Sequence, residues 1–251
     1  MKAMKRLALT LAGLPLACTL VRAEPVINVS APIQLTTNTS TQLDPALSGD
    51  IVVFTDFRNG NEDIYYVDIA AGTETLVTPS STNQRLSDVS GSRIVLTDLS
   101  APGPHILLHD LVTGDTTSVT LGPTDQNPRI DGDLVVFERG PIGAADIVAL
   151  DLATGQETQL STSGANEINP VPFGRRVVYQ RHASAGAPGE IVVYDLDSMA
   201  EIVLGDPLLD DRRPDTDRNI VVWDFVTASG DQEIAVHDLS TGATEILTLA
   251  G

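Results

Sequence analysis

Two kinds of side chain in this sequence could do chemistry, and both recur in dense groups. The stretch from Asp56 to Asp63, DFRNGNED, sets two aspartates, a glutamate, two asparagines and an arginine between two apolar runs. Oxygen ligands at that density suit calcium, yet the loop lacks the regular Asp-x-Asp-x-Asp-Gly order that wraps the ion. His105 and His109 in HILLH have the spacing of two zinc ligands on a helix, but the glutamate of a zinc-protease helix is missing. Asp88, Asp131, Asp215 and Asp217 are the carboxylates a glycoside hydrolase would need. No serine in a nucleophile-elbow setting and no glycine-rich phosphate cradle accompanies them. No cofactor is therefore expected, calcium having density but no motif, and the chemistry left to the chain is recognition by charged side chains.

Whether DFRNGNED is a site or a turn depends on whether its setting occurs once or repeatedly. The preceding apolar run recurs as DIVVFTD, SRIVLTD, DLVVFER, RRVVYQR and NIVVWDF, and its anchors Val53, Val95, Val136, Val178 and Val222 lie 42, 41, 42 and 44 residues apart. A period of about 40 to 45 residues is that of a propeller blade. Gly49, Gly91, Gly132 and Gly174 stand four residues before the anchor, with Arg218 in the last copy, and mark a tight turn between strands a and b. Pro45, Pro128, Pro170 and Pro214 fall at the start of strand a, where a residue that cannot donate to a ladder is tolerated.

Strand c ends in an aspartate in every copy, at Asp68, Asp110, Asp151, Asp195 and Asp238. A turn follows, with Gly72, Gly114, Gly155 and Gly242 where a left-handed backbone closes a hairpin. Each aspartate is placed to accept from the turn amides, which is a structural task. A fourth run, TETLVT in the first copy and TEILTL in the last, completes four strands. Runs such as IVVF are apolar at successive positions, as expected of strands buried on both faces.

These residues resemble the TolB-like propeller repeat, and the first copy, LSGDIVVFTDFRNGNEDIYYVDIAAGTETLVT, matches it best. The resemblance extends from Gln42 to Leu249 and implies an all-β, five-bladed propeller of four-stranded antiparallel blades, with repeats at about 42–83, 84–125, 126–166, 167–210 and 211–251. TolB itself has a further N-terminal domain that engages envelope partners. Only residues 24–41 precede the first copy here, so nothing that depends on that domain is carried over. Within that segment APIQLTT, from Ala31, is expected as an additional outer strand that could close the ring. An unclosed edge would invite a strand from another chain, and hence homo-oligomerisation.

The first 23 residues read as a signal peptide: a basic start through Arg6, an apolar Leu7–Val21 and a Val21-Arg22-Ala23 cleavage signal. The apolar run falls short of the roughly 20 residues that span a bilayer. Lipid attachment at Cys18 in LPLAC is the alternative, with Pro15 where that motif wants leucine. Periplasmic or extracellular delivery is expected. Cleavage takes the formal net charge from −19 to −23 and leaves neither lysine nor cysteine. That charge excludes nucleic acid and anionic membrane surfaces as partners, and the missing thiol excludes disulfides and thiol catalysis.

Alternating strand direction brings the b–c loops and the d–a connections to one face. Arg58, Arg139 and Arg181 fall in or at the start of b–c loops, and Arg85, Arg129, Arg212 and Arg213 lie at the same end. Arginine suits bidentate recognition of carboxylates. The expected function is a non-catalytic binding module that takes a protein, an acidic glycan or a small carboxylate ligand on this face. Asn61 and Glu62, beside Arg58, are the residues individual to the first loop. A structural alternative pairs these arginines with Asp56, Asp125, Asp210 and Asp211. Two other readings stay open: a carbohydrate-active hydrolase or lyase using channel carboxylates, and a structural or self-associating envelope protein.

Overall fold

A computed structural model describes residues 31–120, 122–161 and 164–247. The signal peptide with Cys18, and residues 24–30, lie outside them. Leu35–Gly251 is one compact unit, and no helix long and apolar enough to cross a membrane occurs among the described residues.

Among the described residues twenty strands follow one another in five sheets of four. The first sheet contains β1 (Gln42–Ser48), β2 (Ile51–Asp56), β3 (Asp63–Asp68) and β4 (Thr73–Leu76). The second contains β5 (Gln84–Ser90), β6 (Arg93–Asp98), β7 (His105–Asp110) and β8 (Thr116–Ser118). The third contains β9 (Asp125–Asp131), β10 (Leu134–Arg139), β11 (Asp146–Asp151) and β12 (Gln156–Gln159). The fourth contains β13 (Asn166–Phe173), β14 (Arg176–His182), β15 (Gly189–Asp195) and β16 (Ala200–Leu204). The fifth contains β17 (Asp210–Asp217), β18 (Ile220–Val226), β19 (Gln232–Asp238) and β20 (Ala243–Leu247). Neighbouring strands are antiparallel throughout, which makes the protein the five-bladed, all-β propeller that the repeat implies.

The strand expected at APIQLTT does not form, because residues 31–39 carry no strand; β20 is the outer strand of the fifth sheet. Burial explains why the strands are apolar at successive positions. One apolar cluster joins the first sheet to the second through Val53, Ile64 and Ile94, and similar clusters join the second to the third, the third to the fourth and the fourth to the fifth. Val53, Val95, Val136 and Val178 are all fully buried at these junctions. The apolar faces of the blades are buried chiefly against one another, so each blade depends on its neighbours.

The turn aspartates have the structural task that the repeat assigns. Asp110 Oδ1 accepts from the amides of Val112 and Thr113, Asp151 Oδ1 from those of Ala153 and Thr154, and Asp195 Oδ1 from those of Asp197 and Ser198. At the a–b turn Gly49, Gly91, Gly132 and Gly174 have φ of 57–58°, and Arg218 is held at 57° in the same place. A side chain there costs roughly 1–2 kcal/mol, against roughly 0.5–1 kcal/mol for the extra chain entropy of glycine. Arg218→Gly is therefore expected to raise stability by about 0.5–1 kcal/mol, read as a higher denaturation midpoint at unchanged m-value.

Candidate functional site

The inner strand of each blade contains a residue forced into the left-handed region: Asp44, Leu86, Asn127, Asn169 and Arg213, with φ between 49° and 55°. Four of the five precede proline, which disfavours the right-handed helical conformation for the residue before it. The a–b register breaks at each site, as in β-bulges. The bulge also turns a backbone N–H toward the preceding blade. Asn127 N donates to Thr97 Oγ1 (3.1 Å), Asn169 N to Glu138 Oε1 (2.9 Å) and Arg213 N to Gln180 Oε1 (3.3 Å). The bulge side chains bond within their own blades: Asn127 Nδ2 to Glu138 (2.7 Å), Asn169 Nδ2 to Gln180 (3.2 Å) and Arg213 Nε to Asp224 (2.8 Å). A polar belt thus runs from the second blade to the fifth.

Glu138 is the buried carboxyl of this belt. Burial pushes its pKa up, against hydrogen bonds from Asn127, Asn169 and Gln126 and the nearby charge of Arg129. Asp88 on β5 is also raised by burial; the Ile130 amide (2.9 Å) and Arg129 oppose the rise, and the charge of Asp215 adds to it. Two perturbed carboxyls near one arginine are the arrangement in which functional sites are sought. Glu138, Asn127 and Asn169 are not among the candidates that residue type and spacing single out; the signal the sequence offers for them is the Asn-Pro pair at 127–128 and again at 169–170.

The b–c loop arginines have a different geometry. Arg58 bonds Asp56 (2.7 Å) and Glu74 and lies 4.0 Å from the centre of the Tyr65 ring. Burial works against ionised Asp56, but the hydrogen bonds from Arg58 and Gln42 hold its pKa below the ordinary value. Arg139 bonds Asp125 (2.8 Å) and Glu157 (2.7 Å), and Arg181 bonds Glu190 (3.2 Å) and Glu201 (2.9 Å). In three blades, then, an arginine near the end of strand b reaches a glutamate on the outermost strand. These arginines are each engaged within their own blade and do not converge on a shared site. Arg212 pairs with Asp210 and Arg213 with Asp224. Among the described residues only Arg85 and Arg129 of the seven make no ion pair; both are half-buried on inner strands.

DFRNGNED is largely satisfied from within. Asn59 Nδ2 donates to Asp63 (2.8 Å) and Asn61 Nδ2 to Asp63 (2.9 Å) and to the Thr82 carbonyl (3.1 Å), while the Glu62 carbonyl accepts from Gln84 N of the second blade (2.7 Å). His109 and His237 each pair Nδ1 with a threonine hydroxyl of the adjacent outer strand, Thr116 and Thr244, at 2.8 Å. Among the described residues no group of three or more His, Cys, Asp or Glu is placed to hold a metal ion.

No family model matches the chain, and no curated protein matches it. Solved structures do. A TolB from Acinetobacter baumannii superposes with a TM-score of 0.64 at 18% identity over 86% of this chain and 56% of that one. The chain thus spans little more than half of that protein's length. A TolB structure from Agrobacterium tumefaciens gives 0.67 at 16% identity over 85% and 83%. An oligogalacturonate lyase in complex with manganese gives 0.58 at 14% identity over 79% and 62%. At such identities the likeness establishes the fold: a TolB-like β-propeller.

Two predictions follow from the buried carboxyls. Glu138→Gln reproduces the acceptor that Gln180 supplies one blade on and is expected to fold normally. Because the folded pKa of Glu138 lies above its ordinary 4.5, its ionisation weakens the native state as pH rises past that value, so the stability advantage of Glu138→Gln should widen above it. Glu138→Ala leaves the Asn169 amide without its acceptor and should cost about 2–3 kcal/mol at low pH, a cost that narrows as ionisation weakens the wild type above the ordinary pKa of Glu138. Asp211, raised by burial to about 6, accepts from Nε1 of Trp223 (2.9 Å), the sole tryptophan. Tryptophan fluorescence should titrate with a midpoint near pH 6 in the wild type and lose that transition in Asp211→Asn.

Proposed function

We propose that this chain is an exported, non-catalytic binding module that takes an acidic ligand, either a carboxylate-bearing glycan or an acidic protein segment, at the channel mouth on its arginine-bearing face. The observation that carries the reading is the contrast among the arginines. Arg58, Arg139, Arg181, Arg212 and Arg213 are already bonded to carboxylates, whereas Arg85 and Arg129 make no ion pair. A guanidinium that makes no ion pair among the described residues is better placed to take a ligand's carboxylate in bidentate fashion. Arg129 supplies the central charge and Arg85 a second, with Asn61, Glu62 and the paired arginines forming the surround that shapes access. The b–c loops that carry this surround differ from copy to copy, as suits specificity on a rigid scaffold.

The nearness of Asp88 and Glu138 to Arg129 favours one second reading, a carbohydrate-active enzyme using channel carboxylates. Both readings are tested with oligogalacturonates and glutamate-rich peptides as calorimetric probes. Arg129→Ala and Arg85→Ala should each weaken binding by about tenfold or more, roughly 1.4 kcal/mol. Arg58→Ala combined with Arg139→Ala should lower stability more than affinity. Equal affinity in all variants would remove the proposed site, and cleavage of the oligosaccharide that Glu138→Gln abolishes would favour the enzyme.

A further inference from the structure

One buried carboxylate of the fifth blade lacks the partner that its counterparts have. In every blade the residue two before the left-handed bulge residue is polar and stands opposite one residue of strand b: Gln42 opposite Asp56, Gln84 opposite Asp98, Asp125 opposite Arg139, Glu167 opposite Arg181 and Asp211 opposite Phe225. The first two pairs set an amide against a carboxylate, and Nε2 of Gln42 and of Gln84 donates to it (2.9 and 3.0 Å). The third sets a carboxylate against a guanidinium, and Arg139 Nε donates to Asp125 (2.8 Å). The fourth has the same two residue types. In the fifth an aromatic ring stands where the arginine would be, and among the described residues Asp211 makes no ion pair.

Asp211 is buried, and it accepts from Trp223 Nε1 (2.9 Å) and from the backbone of Asp206, both neutral donors. The charges that act on it, Asp206 and Asp210, are acidic as well, and Asp210 is already held by Arg212. Burial first, and then these charges, push its pKa up to about 6. Above that pH the site holds an ionised carboxylate with no counter-charge, which favours any cation brought beside it.

A pocket of about 200 Å³ opens at this place. Asp211, Trp223 and Phe225 line it and are buried, while Gly205, Asp206 and Ile246, which also line it, are exposed and form its mouth. Gly205 keeps the carboxylate uncovered, because a Cβ there would lie 1.9 Å from Asp211 Oδ2. An indole, a phenyl ring and two carboxylates around so small a volume are the features by which an organic ammonium group is held. We propose that this pocket binds a small organic cation, an alkyl or quaternary ammonium compound, whose charge takes the part that the arginine plays in the third blade. An inorganic ion suits it poorly, since its inner walls are apolar and, among the described residues, no third acidic or histidine group joins the two carboxylates. The chain's net charge of −19 draws cations toward it. This site is separate from the arginine-bearing face and does not rest on that reading.

Choline and butylammonium are the probes, with the alcohol in which carbon replaces the choline nitrogen as the uncharged control. In calorimetry at about pH 8, where Asp211 is ionised, both cations should bind and the alcohol should bind at least about tenfold more weakly. Affinity for choline should fall as pH drops through about 6, and saturating choline should move the midpoint of the tryptophan fluorescence below that value. Asp211→Asn, nearly isosteric and still able to accept from Trp223, should weaken choline by about tenfold or more and leave the alcohol unchanged. Phe225→Arg restores the pairing of the third blade and should abolish choline binding by supplying the cation from within. Should that variant not fold, Asp211→Asn decides. Failure of both cations to bind, equal binding of choline and the alcohol, or wild-type affinity for choline in Asp211→Asn overturns the proposal.

Discussion

The junction between successive blades rests on a backbone N–H that the inner strand cannot use in its own ladder. A left-handed residue, placed before proline in four of five blades, breaks the a–b register, and in the third, fourth and fifth blades the freed N–H is given to a side chain of the preceding blade. That bond fixes the angular position of one sheet relative to the next, and the apolar clusters then fill the wedge between them. Neither part suffices alone: valines and isoleucines pack without direction, while a buried N–H and its acceptor require one geometry. The same device explains why strongly polar residues such as Glu138 and Gln180 are buried among the inner strands. They are acceptors by position, and Thr97 does the same work with a hydroxyl.

Charge is organised around that frame. With 34 acidic residues against 15 basic ones, the chain has few cations to place, and most of those on the loop face are committed to carboxylates of their own blade. Asp56 and Asp125 are fully buried partners, so these pairs matter more than typical surface pairs. Arg58, Arg139 and Arg181 therefore tie the inner part of the blade to its outer strand. Arg129 and Arg85, on inner strands, make no ion pair among the described residues.

Propellers of this kind occur in proteins with very different chemistry. Structures similar to this chain include prolyl endopeptidases, of which it covers 34%, and the manganese-bound oligogalacturonate lyase. The scaffold is shared, so function has to be argued from the site. Here Asp88, Asp131 and Glu138 accept backbone and amide N–H groups, which gives them structural duties whatever else they do.

The sequence by itself determined the strands of the five blades and their turns, though it also suggested a strand at APIQLTT that does not form. Each was encoded locally: the apolar runs, the glycine turns, and the aspartate that binds the amides two and three residues on. It also explained DFRNGNED correctly as a loop set in scaffold. Only the tertiary structure decided which arginines were spent on neighbours, because Arg139 and Glu157 are separated by an entire hairpin. The polar belt was likewise invisible, since Asn127 and Glu138 belong to different repeat positions and meet only across a bulge. Ile234 shows the limit most plainly. Five copies write the same isoleucine at the same place, yet Ile234 is 43% exposed where its four counterparts are fully buried, because burial is a property of what stands next to it in space.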